Sequence, residues 1–464
     1  MSRHLLFSYM TANFGLLCLA SYSSAAPVAR VEVGSYFLGP KSPPSILVSR
    51  QAGDKRWRRL RSEARVSAGD TLVSLPGYVS EVRLDSGVHL LLRGHVREFS
   101  LFPDMNYLQE SAVVLNKSKD ADADVTLQRG RLYVSNHKDK GAEVVVRLRF
   151  EKETWTLTLR PGAEVGVDLL KRYRGDVDYT KDEDPAATLA LCVLKGKAGL
   201  AAGPRHFPSL SAPPGEAAFV WNNKGRNAGL NGPNKLPQVP NFFRVVLPVD
   251  AKNNPDAEKM DQALKLLSQM MRAEKAPAVV LEEVLQKVEG PVVHRLAIYC
   301  LGALDAIDEL LDVLGDTDPT HYRERDTAVF TLRRWLAGDA RNGTKLFDPK
   351  TKSGILKEQK KYTAREAERI FVLLHDPDED QILSVETYDK LARDLVSNKV
   401  ALAELARWQL YRLVRIQDVN IPSLDKFNAA SPRANREAAY REVLEKIEKG
   451  ELPVQAAPVK PKGK

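Results

Sequence analysis

Between Val28 and about Trp221 apolar residues recur at every second position, the spacing that puts alternate side chains on one face of a sheet. Val82 and Leu84 alternate with Glu81, Arg83 and Asp85; Val144, Val146, Leu148 and Phe150 alternate with Arg147 and Arg149; Trp155, Leu157 and Leu159 alternate with Thr156 and Thr158. The turn signals Leu75-Pro76-Gly77, Asp85-Ser86-Gly87, Arg129-Gly130, Pro161-Gly162 and Lys195-Gly196 divide this region at short intervals. Many short strands with no helical pattern between them predict an antiparallel β-sandwich or roll, not a parallel sheet.

From Asn222 to about Pro255 the chain is rich in Asn, Gly and Pro and carries no period, which reads as a linker. Beyond it the period becomes 3.6: Met260, Leu264, Leu267 and Met271; Leu281, Val284, Leu285 and Val288; Ile307, Leu310, Leu311 and Leu314; Ala367, Ile370, Phe371 and Leu374; Tyr440, Val443, Leu444 and Ile447. Thr363 with Glu366 has capping-box spacing, and Ser431-Pro432 reads as a cap followed by a first-turn proline. The second half is therefore expected to be helical. Ala297-x3-Leu301-x2-Leu304, Ala328-x3-Leu332-x2-Trp335 and Ala406-x3-Leu410-x2-Leu413 share one buried-face template, the first two 31 residues apart and the third 78 further on. Helix pairs recurring at roughly 30 to 45 residues build solenoids, because one pair cannot bury its apolar face alone. The Lys-rich end, from Leu452 to Lys464, is expected to be disordered.

The N-terminus carries an address. Arg3 and His4 precede an apolar run from Leu5 to Ala20, and Ser23-Ser24-Ala25-Ala26-Pro27 supplies small residues at the spacing of a signal-peptidase site. The run includes Ser8, Thr11 and Asn13 and falls short of the roughly 20 apolar residues of a stable span. Export with cleavage is the expectation; an uncleaved anchor is the alternative. Cys18 lies inside this segment without the small residues a lipoprotein signal places before its cysteine. Cleavage leaves Cys192 and Cys300 in different predicted domains, as two buried free thiols or, alternatively, an interdomain bridge. So few cysteines exclude a disulfide scaffold and any cysteine-based zinc module. Lys+Arg 69 against Asp+Glu 60 gives +9, and loss of Arg3 with the leader leaves +8. That small excess over many charges of both signs describes a mixed surface, not a polyanion binder.

Five segments of the β region resemble the FecR-type periplasmic domain of bacteria: Val66-Ser-Ala-Gly69-Asp70, Glu81-Val-Arg-Leu-Asp85-Ser86-Gly87-Val88-His-Leu90, Leu127-Gln-Arg-Gly130-Arg131-Leu-Tyr-Val134, Gly162-Ala163-Glu164-Val165 and Leu194-Lys-Gly196-Lys-Ala198. They follow that family's order and cover most of residues 60 to 200, although Gly162-Ala163 stands where the family commonly has Gly-Thr. The helical half is similar to HEAT-like repeats through the template above. The FecR resemblance implies periplasmic signal reception, with a membrane segment and a cytoplasmic region that holds a sigma factor. Only Met1 to His4 precede the apolar run, so the extracytoplasmic fold is carried over as an expectation and sigma-factor control is not.

Candidate chemistry is sparse. Asp120, Asp122 and Asp124 alternate, which would put three carboxylates on one side of an extended chain, as calcium prefers; they are the candidate metal ligands, with a solvated loop as the other reading. Asp376-Pro-Asp378-Glu-Asp380-Gln381 begins like an EF-hand loop but has Gln381 where glycine is needed and Thr387 where a bidentate Glu should stand, so it reads as a polar turn between helices. His89 and His95 flank Arg93-Gly94 and could face each other across a hairpin; His294, His321 and His375 fall at predicted helix ends, where partial exposure is usual. Arg323, Arg325, Arg333 and Arg334 with Trp335 form a basic and aromatic group, with Trp335 on the apolar face. The chain contains no H-E-x-x-H, G-x-S-x-G, phosphate loop or C-x-x-C-H.

The expected layout is a signal peptide (1–25), a FecR-like antiparallel β domain (26–221), a linker (222–257), a HEAT-like helical domain (258–449) and a disordered basic tail (450–464). The expected function is non-enzymatic binding or scaffolding at the bacterial cell envelope. It carries no catalytic residues and no cofactor; its partner would be a protein or envelope polymer and not nucleic acid, with no membrane span after cleavage. A membrane-anchored periplasmic sensor and an envelope polysaccharide hydrolase or lyase are the rival readings.

Overall fold

The computed structural model describes residues 31–39, 44–54, 56–96, 110–138, 141–172, 184–225, 227–243, 255–271 and 274–454. The predicted signal peptide and the tail beyond Val454 lie outside these residues.

The first part is built of strands: β1 (Glu32–Phe37), β2 (Leu47–Arg50), β3 (Arg58–Arg59), β4 (Arg65–Ser67), β5 (Thr71–Ser74), β6 (Val79–Leu84), β7 (Val88–Arg93), β8 (Ser111–Asn116) and β9 (Ala123–Asn136). There follow β10 (Val144–Phe150), β11 (Glu153–Leu159), β12 (Glu164–Arg172), β13 (Ala186–Lys195), β14 (Lys197–Ala202), β15 (Arg205–Ser211), β16 (Gly215–Asn222) and β17 (Gly229–Leu236). Their pairings form two sheets. One runs β4-β1-β6-β7-β9-β12-β13-β16-β17 and the other β3-β2-β5-β8-β9-β10-β11-β14-β15.

Strand β9 belongs to both sheets. Asp124 to Arg129 pair with β8, and Gly130 to Asn136 pair with β12 and β7 in the other sheet. The crossing falls at Gly130, which the sequence pattern marks as a turn but which lies inside a continuous strand with φ +86°. A Cβ there would come within 2.6 Å of Ser111 Cα and closer still to the Glu110 carbonyl. Positive φ and this crowding both exclude a side chain, which is why glycine stands where the strand changes sheets. Gly130→Ala should lower the unfolding free energy by about 3 kcal/mol; a urea midpoint equal to that of the parent protein would refute the crossing geometry. Because β9 leaves its first sheet halfway, the return through β10 runs beside its own first half in the same direction, Val146 opposite Ala123 and Arg149 opposite Thr126. This one parallel pairing departs from the purely antiparallel expectation.

The alternating positions behave as their period demands. Val82, Leu84, Val144, Val146, Leu148, Phe150, Trp155, Leu157 and Leu159 are all buried, in a core to which both sheets contribute. The segment expected to be a linker is in part sheet: β17 pairs with β16, and the 3-10 turn Asn241–Phe243 docks on the first sheet, with Phe243 buried and its carbonyl accepting from the Tyr133 hydroxyl at 3.0 Å. Small residues carry no hydrophobic period, but β17 needs only its backbone to extend the sheet.

The second part is helical: α1 (Pro255–Met270), α2 (Pro277–Lys287), α3 (Pro291–Ala303), α4 (Ile307–Leu314), α5 (Tyr322–Gly338), α6 (Arg341–Leu346) and α7 (Ile355–Glu358), then α8 (Ala364–Leu373), α9 (Glu379–Ile382), α10 (Val385–Leu395), α11 (Val400–Ile416), α12 (Pro422–Asp425) and α13 (Arg433–Glu448). The three template segments lie on α3, α5 and α11, which pack side by side, α3 on α5 and α5 on α11, with Ala297, Ala328 and Ala406 fully buried. Thr363 and Glu366 form the predicted capping box of α8. At α13, Pro432 is itself the N-cap residue and no side chain caps the helix, so the Ser431 reading is displaced by one residue. Of the predicted tail, Leu452 is buried and the Val454 amide donates to Gln417 Oε1 at 2.7 Å. Cys192 and Cys300 are buried and free. Among the described residues no helix is long and apolar enough to cross a membrane.

Candidate functional site

A group of buried charges lies where sheet meets helices, at a junction that begins with breaks in the alternation. In Ile46-Leu47-Val48, Leu72-Val73 and Ala112-Val113 consecutive residues are buried, not alternate ones. Leu47, Leu72 and Val113 face the sheet core; Ile46, Val48, Val73 and Ala112 face outward and share a core with Met260, Leu264 and Leu267 of α1 and with α2 to α5. A strand apolar on both faces is one covered on both faces. Tyr78 is buried with them and its hydroxyl donates to the Leu264 carbonyl at 2.8 Å. Gly77, at φ +81°, leaves room for Leu264, whose Cδ2 would lie 2.7 Å from a Cβ.

Charged residues ring this apolar contact. Glu110, just before β8, is held by Arg129 of β9 and by Arg334 of α5, the latter at 3.5 Å. Burial alone would push the Glu110 carboxyl up; the Arg334 and Arg129 guanidiniums outweigh it and hold the pKa at about 2. Arg129 also donates to the Ala303 carbonyl at the end of α3 (3.4 Å). Beyond Gly130, Arg131 pairs with Asp168 of β12 at 2.6 Å and donates to the Phe242 carbonyl. Burial raises the Asp168 carboxyl against the pull of Arg131, and its Oδ1 has no hydrogen-bond partner. Asp305, in the turn after α3, accepts from Arg50 of β2 at 3.0 Å and from the Trp335 indole at 3.3 Å. Lys171 of β12 reaches the Gly338 carbonyl at the end of α5 (3.4 Å). The two residues beside Gly130 thus point one guanidinium at the helices and one at the docked 3-10 turn. This arrangement positions two folded units against each other.

The candidate metal ligands meet cations from their own protein. Asp120 pairs with Arg147 at 3.1 Å, Asp122 with Lys138 at 2.8 Å and with the Val145 amide at 2.8 Å, and Asp124 with Arg149 at 2.8 Å and Arg147 at 3.2 Å. Burial opposes the charge on Asp124, but hydrogen bonds from Arg149, Asn116 and Arg147 more than reverse it and keep its carboxyl below the ordinary aspartate range. No group of three or more His, Cys, Asp or Glu among the described residues is arranged to hold a metal ion. Asp376 pairs with Arg333 and Arg412, whose guanidiniums lie 4.2 and 4.9 Å from the Trp408 ring centre. Asp378 and Gln381 form the capping box of α9, which makes the EF-hand-like stretch a turn between helices.

The histidines do not meet as the hairpin reading expects. His89 stacks on His137 with ring centres 4.0 Å apart and pairs with Glu81 at 3.1 Å, while burial beside Arg93 and Arg131 lowers His95 to about 3. His375 is buried, not partly exposed; burial lowers its pKa to about 4, although its Nδ1 bonds the Phe371 carbonyl at 2.7 Å. Of the four arginines in the basic and aromatic group only Arg323 is exposed; Arg325 is fully buried and Trp335 belongs to the core.

His95 and His375 are neutral in the folded protein at pH 6.5, whereas an unfolded histidine is half protonated there. The unfolded chain therefore takes up protons first as the pH falls. Stability is full above about pH 6.5 and should decline toward pH 4, by up to roughly 3 kcal/mol per pH unit for the pair. Urea midpoints measured from pH 7 to 4 check this, and a flat profile that is also unchanged in His375→Phe would contradict it.

Comparison with protein families, with curated proteins and with solved structures finds no match to this chain.

Proposed function

We propose that this is an exported, non-enzymatic binding or scaffolding protein of the bacterial cell envelope, with a FecR-like β-sandwich joined to a HEAT-like helical array. The observation that carries the reading is the shared core: outward residues of β2, β5 and β8 are buried with α1 to α5, so the free faces of both units form one interlocked frame. Such a frame suits holding partners at fixed spacing, since contacts concentrate on loops and concave repeat faces borne by a rigid scaffold. Side-by-side packing of α3, α5 and α11 supports the repeat reading. The thiols favour a structural role: burial pushes Cys192 up to about 11 and Cys300 higher still, which leaves neither a thiolate nucleophile near neutral pH. The five ordered β segments and the N-terminal apolar run support the address.

Fractionation of the source cells with N-terminal sequencing of the mature chain tests this. The expected product lies in the envelope fraction and begins near Ala26; cytoplasmic protein with Met1 intact would overturn the reading.

A further inference from the structure

His294 lies in the first turn of α3, and both nitrogens of its ring face acceptors. Nε2 is 2.6 Å from the carbonyl oxygen of Val288, the residue that closes α2. Nδ1 is 3.4 Å from Oε1 of Glu324, in the first turn of α5. A neutral imidazole has one N–H and serves only one of these oxygens, whereas the doubly protonated ring serves both. If the carboxyl keeps the proton and offers it to Nδ1, the pair still holds one proton more than a neutral ring beside a carboxylate. In either arrangement a proton closes the contact.

The surroundings make that proton hard to lose. Glu324 is 6% exposed and its Oε2 has no hydrogen-bond partner, so without a positive neighbour its charge would be stranded away from water. The elements packed on α3 are α1, α2, α4 and α5; among the described residues Glu324 is their only charged group that acts on the ring. Its carboxylate, with help from the Val288 carbonyl, raises the imidazole pKa above its usual value against the opposing effect of burial. Charges close by in sequence are engaged elsewhere. Lys287 pairs with Glu283 at 3.8 Å, and Arg325 meets Glu404 and the Asp316 and Asp318 carbonyls. The His321 ring stands edge-on to His294 with centres 6.2 Å apart and pairs through Nδ1 with Asp316 at 2.7 Å.

We propose that His294 and Glu324 form a proton-operated clasp, which fastens the turn between α2 and α3 to the start of α5 and opens as the pH rises. When the proton leaves, the Nε2–H stays on the Val288 carbonyl and the Nδ1 lone pair faces the Glu324 carboxylate, two acceptors with no proton between them. Glu324 regains water only by moving outward, and the start of α5 moves with it. The sign is opposite to that of His95 and His375. A group with a raised pKa contributes its stability fully below about pH 6.5, the unfolded value, and loses it as the pH rises through the folded value. The inference does not rest on the proposed function.

Nitrogen NMR of the full-length protein labelled at histidine, together with amide exchange, tests it. The His294 ring should titrate with a midpoint above about 6.5 and carry both protons below that midpoint. From about pH 6 to about pH 8.5, protection in the second turn of α5, corrected for intrinsic exchange and referred to α13, should fall about threefold or more. In Glu324→Gln the side-chain amide donates to Nδ1 of a neutral ring, so the contact stays closed at every pH. There the His294 midpoint should drop below the parent's and the loss of protection should vanish, whereas in His321→Gln both responses should persist. A parent midpoint at or below about 6.5 overturns the proposal even if the variants do not fold. Protection that is independent of pH, a response kept in Glu324→Gln, or one lost in His321→Gln would overturn it too.

Discussion

Glu110→Ala is expected to lower the unfolding free energy by about 3–5 kcal/mol, the range for removing one partner of a buried ion pair. Its carboxylate is the only acid paired with both Arg129 and Arg334 among the described residues, and the glutamate is 4% exposed. Truncation leaves two guanidiniums facing each other across the sheet–helix contact, with less water than they need. The loss should appear as a lower urea midpoint and as faster amide exchange in α1 and β8, the elements on either side of the junction. Because the Glu110 pKa is held at about 2 against about 4.3 in an unfolded chain, the same contribution is present above pH 4.3 and disappears as the pH falls toward 2. Glu110→Ala should therefore be less acid-sensitive over that interval than the parent. A double-mutant cycle with Arg334→Ala that gives an interaction below about 0.5 kcal/mol would show that the pair does not couple the units.

Glu404→Ala should cost a similar amount, about 3–5 kcal/mol, for a different reason. Glu404 of α11 is 1% exposed and lies 3.5 Å from Arg325 of α5 and 2.6 Å from Arg407, which also reaches Asp326 at 2.8 Å. Arg325 is fully buried and ties down the turn before α5 through the Asp316 and Asp318 carbonyls and Asn428. Removing Glu404 strands that buried cation between two of the three template helices. The combined change Arg325→Met/Glu404→Leu removes both charges and should restore most of the loss, since desolvated pairs contribute little over apolar side chains of similar size. Urea midpoints at unchanged m-value decide this; a double variant as unstable as the single one would mean that the hydrogen bonds of Arg325, not its charge, hold the turn.

How far the chain can be read without coordinates depends on what each residue's role requires. Period two and period 3.6 need only neighbours in sequence, so Val144 to Phe150 and Ala367 to Leu374 lie buried as their spacing demands. The Thr363–Glu366 box is equally local. Gly130 was visible as a glycine between alternating residues, but a hairpin turn and a sheet crossing both need positive φ, and only the pairing of β9 with strands from both sheets separates them. The segment 229–236 is silent because its strand is held by backbone bonds, which carry no hydrophobic period, and Pro233 falls between the paired positions Asn231 and Asn234. The junction had a signal in Ile46-Leu47-Val48 and Ala112-Val113, where the alternation fails, yet such a run is equally at home in an inner strand of one large core.

Charge shows the same division. In sequence, Asp120, Asp122 and Asp124 are three carboxylates with the spacing of a cation site; in space Arg147, Arg149 and Lys138 supply the cations. Arg325, Arg333 and Arg334 read as a basic surface because an arginine's partner can come from anywhere in the chain: Glu404, Asp376 and Glu110 lie 79, 43 and 224 residues away. The sequence by itself determined that strands come first and helices second and which faces are apolar, since hydrophobic burial follows a local period. Only the tertiary structure decided that β9 joins the two sheets, that the sheet and helical units share one core, and which acid each buried arginine meets. Those outcomes depend on long-range contacts and their desolvation, which no local spacing encodes.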